Sequence, residues 1–173
     1  MKTQVRVGEF TVNRIGFGAM RITGDDIWGE PKNHDGAIVV LKKAVELGVD
    51  FFDTADTYGP EVYENLIHEA LYLYNNIVIA TKGGLTRSGP CIWTPDRSPE
   101  HLREALAGSL KRLGVEAIDV YQLHRPDPNV PFEISVKTLI DLKNKGKIQH
   151  IGLSNVTVNQ LKQALAMTEI VSV

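Results

Sequence analysis

The chain has 173 residues, with 43% hydrophobic and 23% charged side chains, the ordinary mix of a soluble globular domain with a sizeable core. Its formal net charge is −2 and its 19 basic residues are scattered, so no basic run offers an electrostatic footprint for nucleic acid. Apolar runs such as Ile77 to Ala80 are strand-sized and far short of a membrane span, and Met1 to Arg6 lacks the apolar region of a secretory signal. The lone cysteine, Cys91, lies in a Gly/Pro-rich loop and excludes an intrachain disulfide or a thiolate metal cluster. These features lead to the expectation of a soluble cytoplasmic protein with no nucleic-acid or membrane partner.

Along the chain, short β-rich runs alternate with helical patterns. The first run is Arg14 to Met20; Ala37, Ile38, Leu41, Ala44 and Val45 then recur at helical spacing until Gly48, a residue suited to ending a helix. Val49 to Asp53 reads as the next strand, and Tyr63, Leu66, Ile67, Ala70, Leu71 and Tyr74 mark the next helix. A third strand over Asn76 to Thr81 runs into a long loop, 83–100, which ends at Ser98-Pro99, with serine suited to the N-cap and proline to the first helical position. Leu102, Ala105, Leu106, Leu110 and Leu113 form that helix's apolar face, and Gly114 closes it. Ile118 to Leu123 is a fourth strand, followed by a helix over Phe132 to Lys145 that stops at Gly146. Ile148 to Leu153 is a fifth strand, followed by a helix carrying Val158, Leu161, Ala164 and Leu165; Ile170 to Val173 reads as the start of a sixth strand.

Leu-Gly-Val occurs twice, at 47–49 and 113–115, each time between a helix and a strand. Repeated βα units of this kind build a parallel sheet, either an open doubly wound sheet or a (β/α)₈ barrel. Periodicity alone does not separate the two. A dinucleotide fingerprint after the first strand would favour the doubly wound sheet, but Gly16-Phe17-Gly18 is followed by Arg21 where a third glycine is required.

All C-terminal ends of parallel strands lie at one rim, where barrel active sites form. Here successive strands end in Asp53, Lys82, His124 and Ser154-Asn155. Singly, each has an ordinary explanation: Asp53 can cap a turn, Lys82 can surface at its strand end, His124 can be a satisfied histidine under a loop, and Tyr58 can pack at a helix start. On consecutive strands they form a set. An aspartate keeps a neighbouring lysine charged, and the ammonium in turn lowers the pKa of a nearby phenol, making Tyr58 a general acid. Histidine can donate a hydrogen bond to an oxygen as negative charge develops on it. The set suits protonation of a carbonyl oxygen. No Ser/His/Asp or Cys/His constellation favours hydrolysis, and the absence of a carboxylate-rich cluster leads to the expectation of no metal.

Phe51-Phe52-Asp53-Thr54-Ala55-Asp56-Thr57-Tyr58-Gly59 closely resembles the aldo-keto reductase motif in which Asp and Tyr stand five residues apart. Ile79-Ala80-Thr81-Lys82 is similar to that family's lysine strand and Tyr121-Gln122-Leu123-His124 to its histidine strand, while 146–155 resembles its G-K-I-x-x-I-G-x-S-N segment. The resemblance covers the chain from about residue 14 to its end. It implies one domain over 1–173: the first five βα units and the start of the sixth strand of a (β/α)₈ barrel that uses NADPH/NADP+ to reduce aldehydes or ketones. By position, Tyr58 would be the general acid, Lys82 and Asp53 would lower its pKa, and His124 would orient the carbonyl. Ser154 and Asn155 match the residues that hold the nicotinamide carboxamide, and Gly18, Ala19 and Met20 those lining its ribose. Trp28 and Trp93 would wall the substrate pocket, or else pack within their loops. The runs at 15–20 and 151–156 resemble the bacterial branch that includes pyridoxal reductase-like proteins, which makes pyridoxal a candidate substrate.

An eight-unit barrel typically needs about 250 residues. The chain is therefore expected to be the N-terminal part of a longer protein, binding cofactor poorly and tending to associate when free, because an unclosed barrel exposes sheet edges. Two further readings stay open: a regulatory module on this scaffold, as in the channel-associated β subunits, and an inactive fragment.

Overall fold

The computed structural model describes residues 3–173; Met1 and Lys2, part of the N-terminal reading above, lie outside the described residues. A hairpin not expected from the sequence opens the chain, with β1 (Gln4–Val7) antiparallel to β2 (Phe10–Asn13). Gly8 makes its turn at φ +60, and a Cβ there would collide with the His150 imidazole. Five parallel strands follow: β3 (Phe17–Gly18), β4 (Phe51–Asp53), β5 (Val78–Gly83), β8 (Ile118–Leu123) and β9 (Ile148–Leu153). Between β5 and β8 lies a second hairpin, β6 (Leu85–Gly89) and β7 (Ile92–Pro95), in the segment expected to be loop.

The helices α1 (His34–Glu46), α2 (Val62–Leu71), α3 (Pro99–Leu113), α4 (Phe132–Asn144) and α5 (Val158–Leu165) fall where the apolar spacing placed them. Ser98 Oγ accepts from the His101 backbone N–H at 3.2 Å, as an N-cap does, and Gly114 ends α3 at φ +67. α2 stops at Leu71, short of the expected Tyr74. That residue turns back and donates its phenol to the Leu113 carbonyl at 2.7 Å.

The sheet order is β3-β4-β5-β8-β9, the order of the chain. A doubly wound sheet reverses its strand order at a switch point; this one never does, and successive helices pack side by side along it. That is barrel winding, with five βα units complete. The sixth strand is represented by the parallel bridge of Ser172 to Gly152, with Leu153 N–H donating to the Ser172 carbonyl at 3.0 Å.

The central strands β5 and β8 are covered on both faces. Phe52, Ile79, Tyr121, Leu123, Ile151 and Leu153 pack against the helices in the main core. On the inner face Val78, Ala80 and Val120 form a second cluster, floored by Val12 of the N-terminal hairpin and flanked by Phe10 and Phe51. The first strand is shorter than the Arg14 to Met20 run. Only Phe17 and Gly18 pair with β4, and Ala19–Arg21 coils into a 3₁₀ turn.

Candidate active site

Two-residue alternation carries the inner face from the apolar floor to the rim. Val78 and Ala80 are followed by Lys82, Val120 by Gln122 and then His124, and Phe51 by Asp53. Lys82 Nζ donates to Asp53 Oδ2 at 2.6 Å and to the Thr54 carbonyl at 2.9 Å. The lysine side chain is only 6% exposed against 34% for the aspartate, so the pair is shielded from below and open above. Gln122 Nε2 donates to Asp53 Oδ1 at 2.9 Å, leaving both carboxylate oxygens occupied. Gln122 is absent from the set read in the sequence, although its place two residues before His124 on the same strand face could have revealed it.

Tyr58 lies in the turn between β4 and α2 and is 6% exposed. The Lys82 ammonium is 5.4 Å from its ring centroid, and the His124 ring stands edge-on to it at 5.8 Å. Burial pushes the phenol up to about 12, reinforced by the negative charges of Asp53 and then Asp56. This corrects the expectation that Lys82 would lower it: desolvation and two carboxylates set the direction of the shift. Tyr58 is therefore a phenol that keeps its proton at neutral pH.

Burial, then the charges of Lys82 and Arg125, push the His124 imidazole down to about 3, so it is neutral in the working range. His124 Nδ1 lies 3.5 Å from Thr57 Oγ1. Its backbone is held from both sides, its N–H donating to Gly83 O at 3.0 Å and its carbonyl accepting from Asn155 Nδ2 at 3.3 Å.

The remaining rim residues fall where the strand ends place them. Ser154 follows β9 and accepts from Asn155 Nδ2 at 2.9 Å; Asn155 takes the left-handed conformation at φ +57. Gly18 is exposed with open space where a Cβ would stand, and Met20 is exposed at 37%. Ala19, by contrast, has no exposed surface and packs in the main core, so only its backbone can face a ligand. Trp93, on β7, reaches the site, its ring 6.5 Å from both Tyr58 and His124. Trp28 does not touch either ring and approaches only through Arg87. An apolar surface hollow of about 580 Å³ beside Ile15 and Leu47 is lined by none of these residues.

An ion pair, a protonated phenol and a neutral imidazole thus converge on one rim of a parallel barrel-wound sheet. The model of the aldo/keto reductase family matches residues 14–173. The chain belongs to the aldo/keto reductase family. An uncharacterized oxidoreductase of Schizosaccharomyces pombe is 52% identical over 169 residues, covering 98% of this chain and 55% of the relative. Pyridoxine 4-dehydrogenase of Escherichia coli is 39% identical over 175 residues, covering 96% of this chain and 61% of the relative. Among solved structures, the glycerol dehydrogenase of Gluconobacter oxydans superposes with a TM-score of 0.87 at 29% identity, over 98% of this chain and 53% of that one. The chain therefore spans somewhat more than half the length of these aldo/keto reductase relatives.

Proposed function

We propose that this rim is the catalytic centre of a cytoplasmic NADPH-dependent oxidoreductase that reduces aldehydes or ketones to alcohols, within a single domain over 1–173. The observation that carries the reading is the Lys82–Asp53 ion pair set against the ring of a buried, protonated Tyr58 with His124 edge-on beside it.

In this reading the neutral imidazole of His124 donates a hydrogen bond to the substrate oxygen and orients the carbonyl. Tyr58 delivers its phenolic proton to that oxygen as negative charge grows on it. A phenol held at about 12 carries its proton across the neutral range, and the Lys82 ammonium lies 5.4 Å from the centroid of the ring that would carry the phenolate. Asp53 holds Lys82 in place, and Gln122 holds Asp53.

The rim fits a nicotinamide. A carboxamide needs one donor and one acceptor, which the Ser154 hydroxyl and the Asn155 side-chain carbonyl can supply side by side. Gly18, with nothing within 4 Å of a Cβ, and the exposed Met20 would line the ribose, with the backbone of Ala19 between them. The bound cofactor would supply the hydride. The likeness to a pyridoxine 4-dehydrogenase makes pyridoxal a substrate of this reading, with Trp93 as a pocket wall and Trp28 behind it.

Oxidation of NADPH by the full-length protein, followed by reduced-nicotinamide absorbance with pyridoxal and with 4-nitrobenzaldehyde, tests it. Turnover abolished by Tyr58→Phe is expected. Turnover unaffected by Tyr58→Phe would refute the assignment of the proton donor.

A further inference from the structure

Outside the ion pair and the two catalytic rings, one side chain ties the site together. Arg87, on β6, projects its guanidinium into the junction of three loops. Nη1 donates to the Ile27 carbonyl at 3.1 Å and to the Thr57 carbonyl at 3.3 Å. Nη2 donates to the Asp26 carbonyl at 3.3 Å and to Gly89 O at 3.5 Å. These acceptors belong to the loop after β3, the turn that carries Tyr58, and the β6–β7 hairpin. The guanidinium carbon also lies 3.7 Å from the Trp93 ring centroid and 5.2 Å from that of Trp28.

The loop after β3 is not relaxed on its own. Asp26 and Ile27 both stand in the left-handed region, at φ +58 and +59, a conformation that a β-branched side chain such as Ile27 avoids. Their carbonyls are the ones Arg87 takes. The Ile27 carbonyl accepts from the Gly59 N–H as well, at 3.2 Å, so the loop is laced to the residue next to Tyr58. On the other side, Trp93, Tyr58 and His124 stand pairwise edge-to-face, with interplanar angles of 79°, 80° and 74°. Three mutually steep rings make an aromatic corner, and a flat ring packs against such a corner better than a short alkyl chain does. Trp93 is the only one of them carried on a surface hairpin, and Arg87 is what presses against it.

We propose that Arg87 is a positioning and specificity-determining residue that fixes Trp93 as the wall of the substrate pocket and thereby favours flat aromatic aldehydes over small aliphatic ones. The proposal rests on the oxidoreductase reading for its substrate but not for its geometry. A lysine could not replace Arg87, because an ammonium does not fork to four carbonyls while lying over an indole.

The test compares wild type, Arg87→Ala, Arg87→Lys and Trp28→Leu in the full-length protein, with 4-nitrobenzaldehyde and butanal as substrates. In Arg87→Ala, KM for 4-nitrobenzaldehyde should rise about tenfold while kcat falls far less, as expected for the loss of a partly desolvated cation–π contact and its alignment. KM for butanal should change little, and Arg87→Lys should not restore the aromatic KM. Trp28→Leu leaves the carbonyl bonds in place and should shift the same KM less, which keeps the test open should Arg87→Ala fold poorly. A second readout needs no turnover: both tryptophans of this chain lie on Arg87, so their emission should move to the red and become more accessible to acrylamide in Arg87→Ala. An aromatic KM that stays at the wild-type value, a fall in kcat alone, or full rescue by lysine would overturn the proposal. If wild type reduces neither aldehyde, the oxidoreductase reading fails, while unchanged tryptophan emission would separately refute the clamp.

Discussion

The two ends of the same strands do opposite things. At the floor, Val78, Ala80 and Val120 close over Val12 from the N-terminal hairpin, with Phe10 edge-on to the buried His150 at 5.4 Å. Asn13 N–H donates to Asp50 Oδ1 at 2.8 Å and Asn13 Nδ2 to Gly48 O at 2.7 Å, which fastens the hairpin to the start of β4. His150 Nε2 lies 2.7 Å from Glu9 Oε2 without hydrogen-bond direction, and that carboxylate faces solvent. At the rim, one step of the pleat further along β4, β5 and β8, the inward residues are Asp53, Lys82 and Gln122, joined by directed bonds of 2.6 and 2.9 Å. The floor buries apolar surface, each full-sized side chain contributing about 1.5–3 kcal/mol. The rim holds charge out of water at a cost that its ion pair offsets. In the proposed function, stability and chemistry are thus separated along the strand axis by about two residues' rise, some 7 Å.

Substitutions at the two ends should therefore fail in different ways. The largest effect is expected from Tyr58→Phe. It keeps the ring packing and removes the proton, lowering kcat by about 10² to 10⁴-fold with the melting temperature nearly unchanged. Lys82→Met should lose turnover too, but also stability. It strands Asp53 beside the Thr54 carbonyl, which costs about 3 kcal/mol, toward the low end for a broken buried pair because Asp53 is one-third exposed. A urea melt measures the second part. At the floor, Val120→Ala removes two methyl groups from a fully buried position and should cost roughly 2 kcal/mol while leaving KM and kcat unchanged.

A pH-dependent effect sharpens the boundary between the regions. Asp56 is buried behind Tyr58 with Oδ1 unpartnered, and burial, then the Glu64 charge, pushes its carboxyl up to about 8. The folded state keeps that proton where an unfolded carboxylate has lost it. Stability is therefore full below the ordinary carboxylate range and declines as pH rises from about 4 toward 8. Asp56→Asn carries no such proton, so its melting temperature should gain on wild type as pH is raised through that window. Parallel curves for the two proteins would show that Asp56 holds no extra proton in the fold.

Much of this architecture was legible in the chain. β9 and the end of α3 fall at their expected residues because glycines 114 and 146, in left-handed conformations, terminate the preceding helices. Asp53, Lys82, His124 and Ser154 were legible because a parallel sheet delivers every strand end to one rim. The N-terminal hairpin was not: its strands are four residues long and half exposed, and only Val12 declares a buried face, which exists once the barrel is above it. The β6–β7 hairpin was hidden in the same way, since what holds it is the contact of its own Arg87 with its own Trp93 and the Arg87 bonds to the Ile27 and Thr57 carbonyls, which exist only in the fold. The rise of the Tyr58 pKa was illegible for a related reason. Lys82 is visible as a neighbour in the motif, whereas the burial that overrides it belongs to the folded pocket.

The central claim is that chemistry sits at the rim and stability at the floor. The most direct test measures kcat and the urea midpoint on the same preparations of Tyr58→Phe and Val120→Ala. The account predicts that Tyr58→Phe loses turnover and keeps its midpoint, and that Val120→Ala keeps turnover and loses midpoint. Turnover and midpoint falling together in both variants would contradict it.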